Sequence, residues 1–97
     1  MIRIQPAKNS GGITIVIDGQ LIGEYVAEID ASIRKSTEQY EAVELFLRNV
    51  SHIDEAGQEL LSRLAAQGME LRAAGLYSSH VVKQVQLALN SRQTRGT

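Results

Sequence analysis

The run ITIVI, at residues 13–17, restricts the fold of this chain more than any other stretch of its sequence. Five consecutive β-branched residues favour an extended strand, and the run is too short to form a stable helix. The cluster NSGG before it is typical of a turn, and the alternation of Ile2 and Ile4 predicts a strand on the other side of that turn. Pro6 places this first strand at a sheet edge, because proline cannot donate a ladder hydrogen bond. The N-terminal segment is therefore predicted to be a β-hairpin.

The remainder of the chain alternates between helical and strand-like periodicity. Helices are predicted over residues 24–35 and 55–67 and from a cap at Ser78 or Ser79 to Leu89, with strands over residues 42–50 and 69–74. The element order β-β-α-β-α-β-α predicts an α/β fold in which a mixed sheet has helices packed on it. We expect a single domain over residues 1–89 and a frayed tail over residues 90–97, which lack an apolar anchor.

Composition is typical of a small globular protein, and the absence of a targeting signal favours the cytoplasm. The 97 residues carry a formal net charge of -1, which provides no overall field to attract nucleic acid. No apolar run approaches the roughly 20 residues of a membrane span, and the N-terminus does not have the pattern of a signal peptide. We therefore expect a cytoplasmic chain without direct membrane insertion and without nucleic acid as a partner.

Residues for catalysis or metal binding do not form a known pattern. Cysteine is absent, and the two histidines, His52 and His80, lie far apart in the sequence. A triad of Ser51, His80 and Asp54 would lack the Gly-x-Ser-x-Gly turn that exposes a nucleophile, and no phosphate-binding glycine loop opens a helix. We expect a protein that is not an enzyme and that uses neither a metal nor a cofactor.

The stretch HIDEAGQELL has the pattern of a helix start with one unusual residue. Asp54 is a candidate N-cap that would accept a hydrogen bond from the amide of Ala56 or Gly57. Glycine inside the first turn weakens a helix by roughly 0.5–1 kcal/mol relative to alanine. The missing side chain of Gly57 therefore predicts a close approach between this helix and the strand that precedes it.

In its apolar strand followed by IDEAGxxLL, a glycine-terminated helix and a short strand, the chain resembles the STAS domain. That family includes bacterial anti-sigma factor antagonists and the cytoplasmic domains of sulfate-type transporters. Its signature at this position is Asp-Ser-Ser-Gly, of which Asp54 and Gly57 are present. The similarity in element order spans residues 13–89 and implies a STAS-like fold.

The chain departs from this family at the site of regulatory phosphorylation. A partner kinase phosphorylates the second serine of the signature, and a phosphate at a helix N-terminus repels a partner docked there. Glu55 replaces the first serine and Ala56 the second, so the usual site has no hydroxyl to phosphorylate. Ser51, in the predicted loop before the motif, and Ser62 remain as alternative acceptors of phosphate.

Two further departures concern the polar cluster that would surround a phosphoserine. Ile22 stands where the family tends to have an acid after Gly-x-Leu, and Phe46 stands where it often has Asp or Asn. The resemblance then implies that apolar groups have replaced this cluster and disfavours a polar pocket there.

The resemblance implies a non-enzymatic interaction module whose partner is an anti-sigma factor serine kinase. The expected partner surface is the start and outer face of the second helix: Asp54, Glu55, Ala56, Gln58, Glu59, Ser62 and Arg63. One alternative is a regulatory component of a membrane transporter, of the lipid ABC or sulfate type. Another is a domain that binds a nucleotide or other small ligand in a loop cluster around residues 19–23 and Asp54.

Overall fold

The computed structural model describes residues 1–95, with side chains to residue 90, and shows the predicted α/β order. The last two residues of the predicted frayed tail, and the side chains of residues 91–95, lie outside this description. No helix in the described part is long and apolar enough to cross a membrane. The elements are β1 Ile2–Asn9, β2 Gly12–Leu21, α1 Gly23–Gln39, β3 Val43–Ile53, α2 Glu55–Ala66, β4 Glu70–Ala73 and α3 Leu76–Arg95.

The four strands form one mixed sheet in the order β1-β2-β3-β4. β1 and β2 are the predicted antiparallel hairpin, whereas β2, β3 and β4 run parallel to one another. Pro6 faces Ile15 from the edge strand, as its missing amide proton requires. Each of the two helical crossovers connects neighbouring strands, so the order of the strands in the sheet is their order in the sequence.

The core lies between one face of the sheet and the three helices. α2 packs between α1 and α3, so the helices form a single layer. The inward positions of the two central strands are fully buried, namely Ile15, Ile17, Leu45 and Leu47, and they meet Ile29, Leu60, Leu61 and Val82 from the helices. The inward residues recur at every second position of each strand, which is the side-chain period of a β-strand.

The opposite face of the sheet is covered by its own long side chains. Arg48 of β3 donates hydrogen bonds to Asp18 of β2 at 2.9 Å and to Gln5 of β1 at 3.4 Å. The guanidinium carbon of Arg72 lies 4.7 Å from the centre of the Phe46 ring, which is the geometry of a cation–π contact. Phe46 was expected beside the motif, but it lies on this open face because β3 alternates its side chains and the helices cover the other set.

The predicted caps of α3, Ser78 and Ser79, are wrong. The helix begins earlier, at Leu76, directly after Gly75 with its φ of +90°. Ser78 is only 2% exposed, and its hydroxyl donates to the carbonyl of Val50 at 3.3 Å. β4 pairs with β3 only as far as Leu47. On that side of the later part of β3, side chains of α3 bond to the backbone of Val50 and Ile53 instead.

Candidate functional site

One carboxylate joins the beginnings of two helices at the carboxyl edge of the parallel strands. Asp54 Oδ1 accepts from the amide of Gly57 in α2 at 2.8 Å, which confirms the predicted N-cap. Its Oδ2 accepts from the amide of Gly23 in α1 at 2.9 Å. The residue at the cap position of α1 is Ile22, which has no side-chain acceptor. Asp54 therefore supplies the cap that α1 lacks as well as the cap of its own helix.

The electrostatics of this arrangement favour the ionised carboxylate. The amide of Gly23, and then that of Gly57, hold the pKa of Asp54 below its ordinary value, and the nearby His52 acts in the same direction. Both amides belong to helix N-termini, where the helix dipole attracts negative charge. With each oxygen bound to a helix amide, Asp54 is arranged as a structural anion.

Gly57 occupies a position that no larger residue can take without a shift of the backbone. A Cβ built on it would lie 2.2 Å from the carbonyl oxygen of Leu21 and 3.1 Å from Cγ2 of Ile53. The predicted close approach to the preceding strand is confirmed. The tighter contact, however, is with the end of β2, which the sequence pattern did not indicate.

The residues expected to contact a partner lie together at the start and along the outside of α2. Glu55, Gln58, Glu59, Ser62 and Arg63 are exposed, whereas Asp54 and Ala56 are half-buried.

Neighbouring helices fix both sides of this surface. A Cβ on Gly23 would lie 3.5 Å from the Ala56 methyl, so the residue at the phosphosite position faces the start of α1. Farther along, Arg63 pairs with Asp30 of α1 at 3.4 Å, and Asp30 also pairs with Arg34, one turn later in α1, at 3.2 Å.

The expected loop cluster at residues 19–23 is not a loop. Gly19 to Leu21 complete β2, Ile22 occupies the cap position of α1, and Gly23 is the first residue of that helix. The regular ladder from β2 to β3 shifts register twice in this region, which allows the strand to bend without leaving the sheet. Residues 19–23 are therefore part of a strand and of a helix start.

Ser51 and His52 also lie in a strand and not in the predicted loop, because β3 extends to Ile53. His52 pairs with Gln20 of β2, and Ser51 is skipped at a register shift of that ladder. The hydroxyl of Ser51 donates to the carbonyl of Gly19 at 3.4 Å. Asp54 accepts only from amides, so the hypothetical triad with Ser51 and His80 is not assembled. The described residues contain no cluster of three or more His, Cys, Asp or Glu that would hold a metal ion.

Tyr77 supports the same edge and was not singled out from the sequence. Its hydroxyl accepts from the amide of Ile53 at 2.8 Å and donates to the carbonyl of the same residue at 3.2 Å. Ile53 directly precedes Asp54, so this tyrosine helps to fix the position of the cap. A single tyrosine in the first turn of a helix forms no periodic pattern in the sequence. Its partner Ile53 is 24 residues away, so the contact is seen only in the structure.

Comparison with known proteins finds no family model that matches this sequence and no curated protein that matches it.

Proposed function

We propose that this chain is a non-enzymatic, STAS-like interaction module that resembles anti-sigma factor antagonists and acts in the cytoplasm. The observation that carries the proposal is the double cap by Asp54. It holds the starts of α1 and α2 together and leaves the acidic and polar side chains on the outside of α2 free to contact a partner. A rigid helix end flanked by exposed charges suits protein recognition, since little order has to be gained on binding.

The chemistry of Asp54 supports binding rather than catalysis. A general base needs a free lone pair within reach of a substrate proton. Each oxygen of Asp54 already accepts from an amide of the fold, and its pKa is lowered, so it is a weak base near neutral pH.

Ala56 determines how the proposed module would be regulated. In a switchable antagonist, phosphate at this position ends the interaction with the kinase. A methyl group facing Gly23 accepts no phosphate, so the module stays competent to bind at all times. Regulation then acts through the amount of protein or through its partner.

The test is affinity capture from the native host with three immobilised proteins: the wild type, Glu55→Arg and the control Glu41→Arg. Glu55 and Glu41 are both exposed acids, but Glu41 lies in the turn before β3, away from the proposed surface. We expect the wild type and the control to recover an anti-sigma serine kinase and Glu55→Arg to recover at least tenfold less. Recovery of a transporter ATPase would favour the transporter alternative, and equal capture by Glu55→Arg would contradict the proposed surface.

A second arm of the same experiment adds labelled ATP to the captured kinase. The wild type is expected to remain unlabelled, whereas Ala56→Ser restores a hydroxyl at the helix start and is expected to take up label. Label on the wild-type protein, at Ser51, Ser62 or elsewhere, would contradict the proposal that the module is always competent.

A further inference from the structure

A cleft of about 330 Å³ lies at the end of the molecule opposite Asp54. It opens between the β1–β2 hairpin and the C-terminal half of α1, and its polar lining consists of Lys8, Ser32, Lys35, Ser36, Gln39 and Tyr40. The cleft is lined by α1 residues from Ser32 to Gln39, which lie roughly 14 to 24 Å along the helix from Gly23, at 1.5 Å per residue. The cleft is thus separate from the α2 surface, and its role does not depend on the function proposed above.

The most informative residue of this cleft is Ser36. It is 8% exposed, yet its hydroxyl makes no hydrogen bond to any of the residues that the structure describes. The Ser36 hydroxyl itself reaches solvent at the cleft, since no buried side-chain oxygen of the described residues lacks a hydrogen-bond partner. Ser36 lines the cleft, so its hydroxyl is available to a group that enters from outside.

The charge of the cleft identifies the kind of group. Lys8 and Lys35 both line it, and neither takes part in any of the four ion pairs of the described residues. Both lysines are exposed, and no carboxylate is among the described residues that line the cleft. In a chain with net charge -1, this is a local excess of positive charge that favours an anion.

The C-terminus of α1 is close by, and its dipole opposes an anion. Two features reduce that opposition. The amide of Tyr40 donates to the carbonyl of Ser36 at 2.9 Å and satisfies one of the terminal carbonyl groups. Lys35 stands about one turn before the end of the helix, where a cation offsets the dipole.

We propose that this cleft binds the phosphate monoester group of a small ligand. Lys8 and Lys35 would hold the phosphate from two sides, and the Ser36 hydroxyl would donate a third hydrogen bond. A phosphate offers acceptors only, which matches a set of ammonium and hydroxyl donors. Pro6 and the buried Ile13 form an apolar wall beside these donors, suited to the carbon part of the ligand.

The test uses two sources of the same chemical group with the whole chain. Isothermal titration with glycerol 3-phosphate measures a soluble ligand, and co-sedimentation with vesicles that contain phosphatidic acid, compared with phosphatidylcholine alone, measures a lipid headgroup. We expect one of the two to bind with a dissociation constant on the order of 1 mM or tighter. Either source supports the site, and binding of neither overturns it.

Substitutions test whether the phosphate group binds in this cleft. Lys35→Gln is expected to weaken it about tenfold, since it removes a charge-assisted hydrogen bond, while the control Lys83→Gln, an exposed lysine of α3, leaves it unchanged. Ser36→Ala is expected to weaken binding about fivefold without lowering the Tm, because the hydroxyl has no partner within the fold. Loss of stability in Ser36→Ala with full binding, or equal effects of Lys35→Gln and Lys83→Gln, would overturn the proposal.

Discussion

The two ends of α1 show opposite treatments of polar groups. At the N-terminal end, Asp54 satisfies the amide of Gly23, and the hydroxyl of Tyr77 satisfies both backbone groups of Ile53. At the C-terminal end, the hydroxyl of Ser36 is accessible from the cleft and has no hydrogen-bond partner among the described residues. The polar groups at the first end are therefore held by hydrogen bonds within the fold, whereas those at the second end remain available to a ligand. Substitutions at the first end should therefore affect stability, and those at the second end should affect binding.

The largest effect is expected from Gly57→Ala. The new methyl group would stand 2.2 Å from the carbonyl oxygen of Leu21, so α2 must move away from the end of β2. We expect the free energy of unfolding to fall by about 1–3 kcal/mol, even though alanine favours the helix.

Urea unfolding monitored by circular dichroism measures this change. Gly11→Ala is the matched control, since a Cβ there has no neighbouring atom within 4 Å, and it should stay within about 0.5 kcal/mol of the wild type. Equal effects of the two substitutions would remove the claim that close packing at Leu21 distinguishes this end.

Asp54→Asn is expected to have the next largest effect, because one amide oxygen cannot accept from both helix starts as well as a carboxylate does. We expect a Tm lower by about 5 °C at pH 7. The folded-state pKa of Asp54 is below the unfolded value of about 3.9, so its stabilising contribution is present above that value and is lost as pH falls through the folded-state pKa. The difference between wild type and Asp54→Asn should therefore shrink below about pH 4.

Thermal melts from pH 7 to pH 2 measure that difference. Asp18→Asn is the matched control, since the pKa of Asp18 is also lowered, by its hydrogen bond to Arg48 on the open face of the sheet. If the Asp54→Asn deficit is constant across this range, the carboxylate charge does not contribute to the cap.

A pair of tyrosine substitutions gives the smallest and most direct comparison. Tyr77→Phe leaves the amide and carbonyl of Ile53 without their partner, but the 43% exposed side chain leaves room for water, so we expect a loss of about 1 kcal/mol. Tyr40→Phe, at the cleft, should be neutral, because that hydroxyl makes no hydrogen bond to the described residues. Denaturant melts of both variants measure the contrast, and equal losses would contradict it.

The features that were predicted correctly are those that depend on residues close together in the sequence. The strand at ITIVI, the edge position implied by Pro6 and the cap by Asp54 all follow from neighbours close in the chain, and the structure confirms them. The second bond of Asp54 was not predicted, since its partner Gly23 is 31 residues away. The contacts of Ser78 and Tyr77 with β3 are likewise long-range, and they arise because β4 is too short to pair with all of β3.

The site was predicted in outline only. The exposed positions of α2 follow from helical periodicity, so their common surface was foreseeable. Phe46 was assigned to the motif from its spacing in sequence, but a strand turns alternate residues to opposite faces, and it lies under Arg72 on the far side of the sheet.

The shared cap also has a consequence for the order in which the chain becomes structured during synthesis. α1 leaves the ribosome with an uncapped N-terminus, because Ile22 offers no acceptor and Asp54 is still to be added. The start of α1 is completed only when β3 has been synthesised and has docked beside β2, which brings the carboxylate into place. A truncated chain that ends before residue 54 would therefore lack the acceptor for the Gly23 amide at the start of α1.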